Sequence, residues 1–357
     1  MRVTFIIPSI SISGGIRVVF EHANRLKEGG YEVSIVYPLL PLSFGLKWYD
    51  LKRRLRLGAR FLYNFKRNNK VNWFNLKANL KMVPNLSEKY IPDGDIIVAT
   101  AWPTAYYVDD YHRCKGKKVY FIQHYEVWSG PQDEVNKTYK LPLRKIVISS
   151  WLKDLMEKKF QERVEGVVMN GINLDQFYNS HKEYNEKKRI LMYYSDWEWK
   201  GAKDGIRAFK IAKERYPEIE LVMFGMHKGR DVPSYTEFHK RPTGEELRKL
   251  YCSCDIFLYS GRCEGFGLPP MEAMACKCAV VATNVGAVPD YTIPGKTALV
   301  SPPENPANLA KNLISLLSDN KKLKGISIAG YEYIKKFSWE ESTKKLEKLF
   351  ENLVFSD

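Results

Sequence analysis

The sequence lacks any hydrophobic run long enough to cross a membrane. A spanning helix needs about 20 consecutive, mostly apolar residues, and no stretch of the 357 residues approaches that length. The opening Met1-Arg-Val-Thr-Phe-Ile-Ile-Pro8 is also too short for the apolar core of a signal peptide. We therefore expect the chain to stay in the cytoplasm.

Cysteine is scarce, with six residues in the whole chain. Cys252 and Cys254 are two positions apart, as are Cys276 and Cys278, while Cys114 and Cys263 have no close neighbour. A structural zinc site commonly uses Cys-x-x-Cys spacing, which these pairs do not have. The pattern instead favours small, buried, apolar thiols in or beside strands.

Acidic residues are also in deficit, with 41 Asp and Glu against 56 Lys and Arg, a net charge of +15. Between Lys47 and Lys81 there are eleven Lys or Arg and one acid, Asp50, so this stretch carries +10 (11 − 1). Leucine, tryptophan and phenylalanine alternate with the basic residues at roughly helical spacing. Such a segment binds an anionic membrane surface or a polyanionic acceptor, or it forms a solvated basic face on helices. Nucleic acid ranks last, because no recognisable nucleic-acid module is present.

The order of apolar and Gly-rich segments predicts an α/β protein. Val3 to Ile7 indicates a buried strand, and a loop with Gly14-Gly15 precedes a helix and a second strand. This order opens a doubly wound sheet, whose ligands lie beyond the carboxyl ends of its strands. The glycine pair by itself is weak evidence, because it lacks the Gly-x-Gly-x-x-Gly pattern of dinucleotide sites.

A second strand-loop-helix unit carries two carboxylates. The apolar run Ile256 to Tyr259 precedes Glu264-Gly-Phe-Gly-Leu-Pro-Pro-Met-Glu272, which continues as Ala273-Met-Ala275. A Gly-rich turn before a helix directs backbone N–H groups at an anion, most often a phosphate. Glu264 and Glu272 can accept hydrogen bonds from hydroxyl groups of the same ligand. Taken singly, either glutamate is better explained as part of an ordinary strand-to-helix turn, with Glu272 a solvated carboxylate of the first helical turn.

The whole string Glu264 to Ala275 closely resembles the Glu-seven-residues-Glu motif of retaining glycosyltransferases of family 4, also called glycosyl transferases group 1. The resemblance continues through Val280-Val-Ala-Thr-Asn-Val-Gly-Ala-Val-Pro-Asp290 and Gly295-Lys-Thr-Ala-Leu-Val300. It implies the GT-B fold, in which two Rossmann-like, doubly wound α/β domains face each other across a cleft. We expect an acceptor-binding domain at 1–180 with a basic insertion at about 43–82, a nucleotide-sugar-binding domain at 181–337, and a helix at 338–357 that crosses back to the first domain.

The same resemblance implies roles for individual residues. His124, Glu264 and Lys200 would be catalytic, with His124 near the donor sugar, Lys200 on the phosphates and Glu264 on the sugar hydroxyls. The donor-binding residues would be Gly14, Gly15, Lys200, Gly265, Phe266, Gly267, Leu268 and Glu272, the last on the ribose. From its own position at a strand end, without the resemblance, His124 is better explained as a hydrogen-bonded structural histidine.

One expected charge is missing from this set. The family's second phosphate-binding cation, an arginine shortly before the lysine, is replaced here by Ser195 and Asp196. Arg17 and Arg262 are the candidate replacements. Asp93-Gly-Asp95 suggests a metal-binding Asp-x-Asp, but it follows Pro92 as ordinary turn chemistry, so we expect no metal and no resident cofactor.

The resemblance predicts a retaining, metal-independent glycosyltransferase that moves a sugar from a nucleotide diphosphate to an acceptor hydroxyl. The expected setting is lipid-linked or cell-surface glycan synthesis, with the protein peripheral on the inner face of the membrane. Two alternatives stay open: an enzyme that phosphorolyses or epimerises sugars, and a non-catalytic, membrane-associated subunit that binds a nucleotide sugar. The resemblance implies that the nucleotide base binds between Met226 and Pro242, where no residue pattern distinguishes uracil from guanine.

Overall fold

The computed structural model describes residues 1–42 and 71–355. Most of the basic stretch therefore lies outside the described residues. The chain divides into two compact units, the first formed by Met1–Met169 and Trp339–Asp357 and the second by Asn170–Ser338. No helix within the described ranges is both long and apolar enough to span a membrane.

The first unit is built on a parallel sheet with the strand order β3-β2-β1-β4-β5-β6-β7. The strands are β1 (Arg2–Ile6), β2 (Glu32–Pro38), β3 (Asn79–Val83), β4 (Ile96–Ala99), β5 (Lys117–Ile122), β6 (Arg144–Val147) and β7 (Val164–Val167). The helices are α1 (Gly14–Glu28), α2 (Trp102–Asp110), α3 (Gln132–Tyr139), α4 (Ser150–Asp154, continued by a π-helical turn Leu155–Phe160) and the C-terminal α11 (Trp339–Phe355). All four residues of β4 are buried, because helices cover both faces of a parallel sheet.

The second unit repeats this design with the strand order β10-β9-β8-β11-β12-β13. Its strands are β8 (Arg189–Tyr194), β9 (Glu220–Gly225), β10 (Glu237–Lys240), β11 (Ile256–Tyr259), β12 (Ala279–Thr283) and β13 (Leu299–Ser301). Its helices are α5 (Ala202–Arg215), α6 (Gly244–Cys252), α7 (Leu268–Ala275), α8 (Val288–Tyr291), α9 (Pro306–Leu317) and α10 (Asn320–Ile334). The α/β prediction is confirmed by these two parallel sheets.

The predicted basic insertion at about 43–82 extends too far toward the C-terminus. Asn79–Val83 is strand β3, which pairs with β2 from Ser34↔Asn79 to Pro38↔Val83. Trp73 stacks on Phe20 of α1, with ring centroids 5.4 Å apart. The last part of the stretch therefore belongs to the first unit's sheet and core. Lys77 and Lys81 obscured this strand in the sequence, because an edge strand carries charged residues on its exposed face.

The predicted division after residue 180 also differs from the structure, which divides the chain after Met169. Phe177 packs edge-on against Tyr251 at 6.0 Å, and the Asn179 side-chain amide donates to the Cys276 carbonyl at 3.3 Å. These contacts hold residues 170–180 to the second unit. Sequence reasoning placed the boundary at the polar run after Ser180, but packing sets it about ten residues earlier.

Helix α11 packs on α1 of the first unit through a buried histidine. His22 is fully buried, its Nδ1 lies 3.0 Å from the Thr343 hydroxyl, and its ring meets Trp339 edge-on at 5.5 Å. Burial, with a smaller contribution from Arg25, lowers the pKa of His22 to about 3. The imidazole is therefore neutral in the folded protein at any ordinary pH.

We expect His22 to make the protein less stable as the pH falls. Below the ordinary histidine pKa of about 6.5, His22 is protonated in the unfolded chain. In the folded chain it stays neutral down to about pH 3. The free energy of unfolding should therefore rise with pH across this window and level off above it. Urea unfolding at about pH 5 and about pH 7.5 measures the slope. His22→Gln should reduce it, whereas His181→Gln, at a side chain 87 % exposed, should not; equal slopes in all three proteins would contradict the assignment.

Gly201 is required by close packing between two loops of the second unit. It has φ +66°, and a Cβ placed there would lie 1.8 Å from the Ser260 carbonyl oxygen. We expect Gly201→Ala to destabilise the protein by roughly 2–4 kcal/mol, from steric overlap and backbone strain. Gly325→Ala is the matched control, because a Cβ placed on Gly325 of α10 would meet no heavy atom within 4 Å beyond the neighbouring backbone of its own helix, and alanine favours a helix. Equal melting temperatures for the two variants would contradict this packing.

Candidate functional site

The candidate site of the second unit lies where two neighbouring parallel strands end. Strand β8 pairs with β11, so the loops that follow them leave the same edge of the sheet. The backbone N–H groups of Arg262 and Cys263 both donate to the Trp199 carbonyl, at 2.9 and 3.2 Å. This contact holds the short 3-10 helix Glu198–Lys200 against the loop after β11.

The loop contact brings together Lys200 and Glu264, two of the three predicted catalytic residues. Lys200 Nζ donates to Glu264 Oε1 in an ion pair whose side chains are 21 % and 11 % exposed. The ammonium also lies 4.4 Å from the centroid of the Trp199 ring. Because an ammonium has three donors, Lys200 can bind an anionic oxygen while it stays near Glu264.

Two tyrosines enclose the Glu264 carboxylate. Burial, followed by the charge of Glu264, raises the pKa of Tyr193 and of Tyr259 above the ordinary tyrosine value. Both phenols therefore stay protonated near neutral pH. The site is an ion pair near two neutral phenol groups, which suits a ligand that combines negative charge with sugar hydroxyls.

The Gly-rich turn before α7 positions the predicted donor loop Gly265, Phe266, Gly267 and Leu268. Gly267 has φ +93°, and a Cβ there would lie 3.2 Å from the Tyr259 hydroxyl and 3.3 Å from the Tyr291 hydroxyl. The Tyr291 hydroxyl donates to the Gly267 carbonyl at 2.7 Å. The turn therefore needs glycine both for its backbone conformation and for the close approach of two tyrosines.

The prolines of α7 change how its N-terminus can bind an anion. The helix begins at Leu268, and Pro269 and Pro270 follow directly. Proline has no backbone N–H, so two of the first three helical positions cannot donate. Anion binding here depends on the N–H groups of the preceding glycine turn and of Leu268, which the sequence analysis did not separate from those of the helix.

Glu272 is buried, with 6 % of its surface exposed. Its Oε2 accepts a hydrogen bond from the Tyr251 hydroxyl of α6 at 3.0 Å. Burial and the nearby carboxylate raise the pKa of Tyr251 far above its ordinary value. Glu272 is therefore not a solvated carboxylate of the first helical turn. Sequence reasoning missed Tyr251, because no motif connects positions 251 and 272.

The two residues that stand in place of the expected arginine contribute no cation of their own. The Asp196 carboxylate forms an ion pair with His227, which follows β9, and accepts a hydrogen bond from the Tyr194 hydroxyl at 2.8 Å. Hydrogen bonds from Tyr194 and His227 lower the pKa of Asp196. The basic side chain beside this position is therefore His227, which is charged only when its imidazole is protonated and which the sequence analysis did not consider.

Neither of the proposed replacement arginines is free of carboxylates. Arg262 makes a two-pronged contact with Asp204, at 2.7 and 3.1 Å, and a further hydrogen bond to Glu198 at 3.1 Å. Arg17 lies on α1 of the first unit, with its Nε 3.7 Å from Glu21. Hydrogen bonding to Asp204 raises the pKa of Arg262, which fits a structural ion pair between α5 and the loop after β11.

In the first unit, Gly14 and Gly15 are the first two residues of α1. The Ser13 hydroxyl caps the helix by accepting from the Ile16 N–H at 3.3 Å. A Cβ on Gly14 would meet no heavy atom within 4 Å, and one on Gly15 would meet the Gln123 side chain at 3.4 Å. Both glycines therefore leave the N-terminus of α1 open to a ligand.

His124 lies just beyond the carboxyl end of β5. Its Nδ1 is 3.0 Å from the Tyr125 carbonyl, and its ring meets Trp128 and Trp151 edge-on at 6.1 and 6.3 Å. Nearby, Glu126 accepts from the Trp102 N–H at the start of α2 at 2.7 Å, and burial raises the pKa of Glu126 to about 7. The His124 side chain is thus oriented by neighbouring aromatic rings and a backbone carbonyl.

The Asp93-Gly-Asp95 turn is held by local ion pairs. Asp93 pairs with Lys115 at 2.7 Å, and Asp95 accepts from the Arg2 N–H at 2.6 Å. Within the described ranges, one group of side chains has donor atoms close enough to share a metal ion, namely Glu88, His112 and Cys114. It precedes strands β4 and β5, at the end of the sheet away from His124.

Part of the chain matches a known protein family. Residues 175–333 match the family model described as glycosyl transferases group 1. An uncharacterized glycosyltransferase of Methanocaldococcus jannaschii is 27 % identical over 58 % of this chain and 59 % of its own length. A D-inositol 3-phosphate glycosyltransferase of Corynebacterium diphtheriae is 28 % identical over 45 % of this chain and 41 % of its own. The chain thus aligns with less than two thirds of the length of these curated relatives.

The similarity to solved structures extends over the whole chain. Sucrose-phosphate synthase from Thermosynechococcus elongatus superposes with a TM-score of 0.73 at 16 % identity, and each chain is fully covered. The Anabaena protein HepE, solved in complex with UDP-glucose, gives a TM-score of 0.71 at 13 % identity, with 98 % of each chain covered. At these identities the likeness establishes the fold.

The resemblance seen in the sequence is confirmed at this level. The chain has the GT-B fold, and in residues 175–333 it carries a domain of the glycosyl transferases group 1 family.

Proposed function

We propose that this protein is a retaining glycosyltransferase that moves a sugar from a nucleotide diphosphate to an acceptor hydroxyl. The observation that carries the proposal is the Lys200–Glu264 ion pair beside a glycine turn, at the carboxyl edge of the second sheet. Parallel α/β sheets bind their ligands at this edge. The family model that matches residues 175–333 supports the same reaction class.

Charge is the main difficulty of this reaction, because the diphosphate leaves as an anion while the sugar becomes electron-poor. Lys200 supplies a positive charge to the departing phosphate, and the N–H groups of the Gly265–Gly267 turn add hydrogen bonds. Donors that are fixed before the reaction stabilise developing charge without reorganising. The leaving phosphate accepts the acceptor's proton in this proposal, so no side-chain nucleophile is assigned.

The two glutamates hold the uncharged parts of the donor. Glu264 accepts hydrogen bonds from the sugar hydroxyls, and Glu272 accepts from the ribose. Tyr251 keeps the Glu272 carboxylate in one orientation through their 3.0 Å hydrogen bond. Ribose binding at Glu272 therefore requires that the carboxylate keep an oxygen available beside the tyrosine.

The first unit contributes a separate set of groups in this proposal. The N-terminus of α1, at Gly14 and Gly15, offers N–H groups to the donor's diphosphate, and His124 supplies a ring nitrogen near the donor sugar. Tyr125, Glu126 and Trp128 belong to the acceptor side. The proposal involves no metal and no resident cofactor.

The donor base is best identified by thermal stabilisation with UDP, GDP and ADP and their sugars. A ligand at a hundred times its dissociation constant stabilises by about 2.7 kcal/mol, a readily measured shift in melting temperature. We expect one nucleotide to stabilise the protein, a smaller shift for Lys200→Ala, and an unchanged shift for Lys203→Ala. Lys203 is the matched control, because it lies three residues away with a side chain 78 % exposed. Glu272→Gln should weaken binding of the ribose-containing ligands while keeping a partner for Tyr251.

The outcome of this experiment also separates the alternatives. No stabilisation by any nucleotide would contradict the donor site. If the protein binds the donor tightly but neither transfers its sugar nor slowly hydrolyses it, a non-catalytic subunit is favoured. The presence of Lys200, Glu264 and Glu272 argues against that alternative. Release of sugar phosphate or an epimerised sugar would favour the phosphorolysing or epimerising enzyme. In a transfer product, NMR of the anomeric proton reports whether configuration is retained.

We further propose that the acceptor belongs to lipid-linked or cell-surface glycan synthesis and that the protein works at an anionic membrane surface. The basic stretch from Lys47 to Lys81, with a charge of +10 (eleven basic residues and one acid), supports this setting. Basic segments contribute about 1 kcal/mol per Lys or Arg near an anionic surface, an attraction that salt screens.

Liposomes that contain anionic lipid should therefore bind the protein, and the binding should weaken as salt rises. Replacing Arg53, Arg54 and Arg56 together by glutamine should reduce co-sedimentation. Replacing Lys321, Lys322 and Lys324 of α10 removes the same charge and should have a smaller effect. Equal losses for both triple variants, or binding that salt does not change, would assign the basic stretch to an ordinary solvated face.

A further inference from the structure

Four of the six cysteines gather at the amino end of the second sheet, opposite the Lys200–Glu264 edge. Cys252 ends α6 and Cys254 precedes β11, while Cys276 follows α7 and Cys278 precedes β12. Strands β11 and β12 are parallel neighbours, paired from Ile256↔Ala279 onward, so their preceding residues are close. The Cys278 thiol donates to the Tyr251 and Cys254 carbonyls, at 3.0 and 3.4 Å.

Cys252 and Cys276 are in direct side-chain contact across the ends of α6 and α7. Their thiols are hydrogen-bond partners. Cys276 is held by its backbone, since its N–H donates to the Glu272 carbonyl at 3.1 Å. Cys252 is partly exposed, whereas Cys254, Cys276 and Cys278 are buried. Among these four thiols, a reagent from solution therefore reaches Cys252 first, with Cys276 in contact with it, while Cys114 and Cys263 are exposed elsewhere in the chain.

Two basic side chains lie near Cys252, of which Arg248 also donates two hydrogen bonds to the Glu245 carboxylate. Arg248, one turn earlier on α6, donates to the Tyr178 carbonyl at 3.3 Å, and the Cys252 thiol lies 3.3 Å from the same oxygen. Lys182 Nζ lies 3.3 Å from the Cys252 carbonyl. These are the conditions under which a cysteine is reactive, namely partial exposure and nearby positive charge.

The acid-base properties of the thiols follow this geometry. The hydrogen bond with Cys276, with added help from Arg248 and Lys182, lowers the pKa of Cys252, and the same contact raises the pKa of Cys276. Burial raises the pKa of Cys254 to about 11 and of Cys278 to about 12. Partial desolvation also raises the pKa of the exposed Cys114 and Cys263, with added contributions from Asp93 at Cys114 and from Glu264 at Cys263. Cys252 is therefore the one of the six cysteines whose pKa is lowered, and the thiolate is the nucleophile.

We propose that Cys252 is an oxidant-reactive thiol and that Cys276 resolves it into an intramolecular disulfide. The Cys252 thiolate attacks one sulfur of a small-molecule disulfide, so a mixed disulfide forms and one small thiol leaves. Cys276 then loses its proton to solvent and attacks the Cys252 sulfur, which releases the second small thiol. Two cysteine thiols become one disulfide, and the small disulfide is reduced to two thiols.

The bond links the last residue of α6 to the residue that follows α7. Tyr251 and Glu272, which form the hydrogen bond between these helices, lie one and four positions away from the two cysteines. Oxidation therefore adds a covalent link beside a contact that the fold already makes. The inference concerns the thiols alone and is independent of the proposed transferase reaction.

Treatment of the reduced, full-length protein with oxidised glutathione tests the proposal. In the final product, the intact mass of the protein should be lower by two hydrogens. Non-reducing peptide maps should show Cys252 joined to Cys276. Cys276→Ser should instead accumulate one glutathione on Cys252, because the resolving thiol is gone. Cys252→Ser should form neither product at this site. If dithiothreitol reverses each mass change, the product is a disulfide.

The charge dependence provides a second, independent measurement on a folded variant. Arg248→Gln should slow the reaction of Cys252 several-fold, whereas Arg207→Gln, at an exposed position on α5, should leave the rate unchanged. Earlier reaction at Cys114 or Cys263, a stable glutathione adduct on Cys252 in the unaltered protein, or a disulfide between another pair would each overturn the proposal.

Discussion

The candidate donor site depends on one backbone contact, the docking of the Trp199 carbonyl onto the N–H groups of Arg262 and Cys263. Parallel neighbours such as β8 and β11 end at the same edge of a sheet, so the loops that follow them can meet there. Gly201 permits the contact, because no side chain fits between its backbone and Ser260. Lys200 and Glu264 are paired only because these two loops are held together.

The charges of this edge are largely compensated before any ligand binds. Lys200 pairs with Glu264, Arg262 with Asp204 and Glu198, and His227 with Asp196. A half-buried charge without a partner would be costly, so each cation has a carboxylate within reach. In the proposed reaction, the ammonium of Lys200 would use its remaining donors for a phosphate while it stays near Glu264.

Helices α6 and α7 connect the functional edge to the opposite end of the sheet. Tyr251 and Glu272 join the helices by a buried hydrogen bond, and Cys252 and Cys276 meet at their carboxyl ends. Helix α7 is short, running from Leu268 to Ala275, so the glycine turn before it and its cysteine contact are about two helical turns apart. Glu272 therefore lies on the short helix that joins the glycine turn to the cysteine contact.

The sequence by itself determined the α/β architecture, because strands buried on both faces appear as continuous apolar runs, and glycines and prolines mark the turns between them. It also located the segment from Glu264 to Glu272, whose chemistry is contiguous in the chain. Only the tertiary structure decided that Asn79–Val83 is a strand of the first sheet and that Arg262 is bound by Asp204. It likewise decided that Tyr251 holds Glu272 and that His227 stands beside Asp196. These partners are separated by 21 to 58 residues, and packing of strands and helices, rather than local spacing, brings them together.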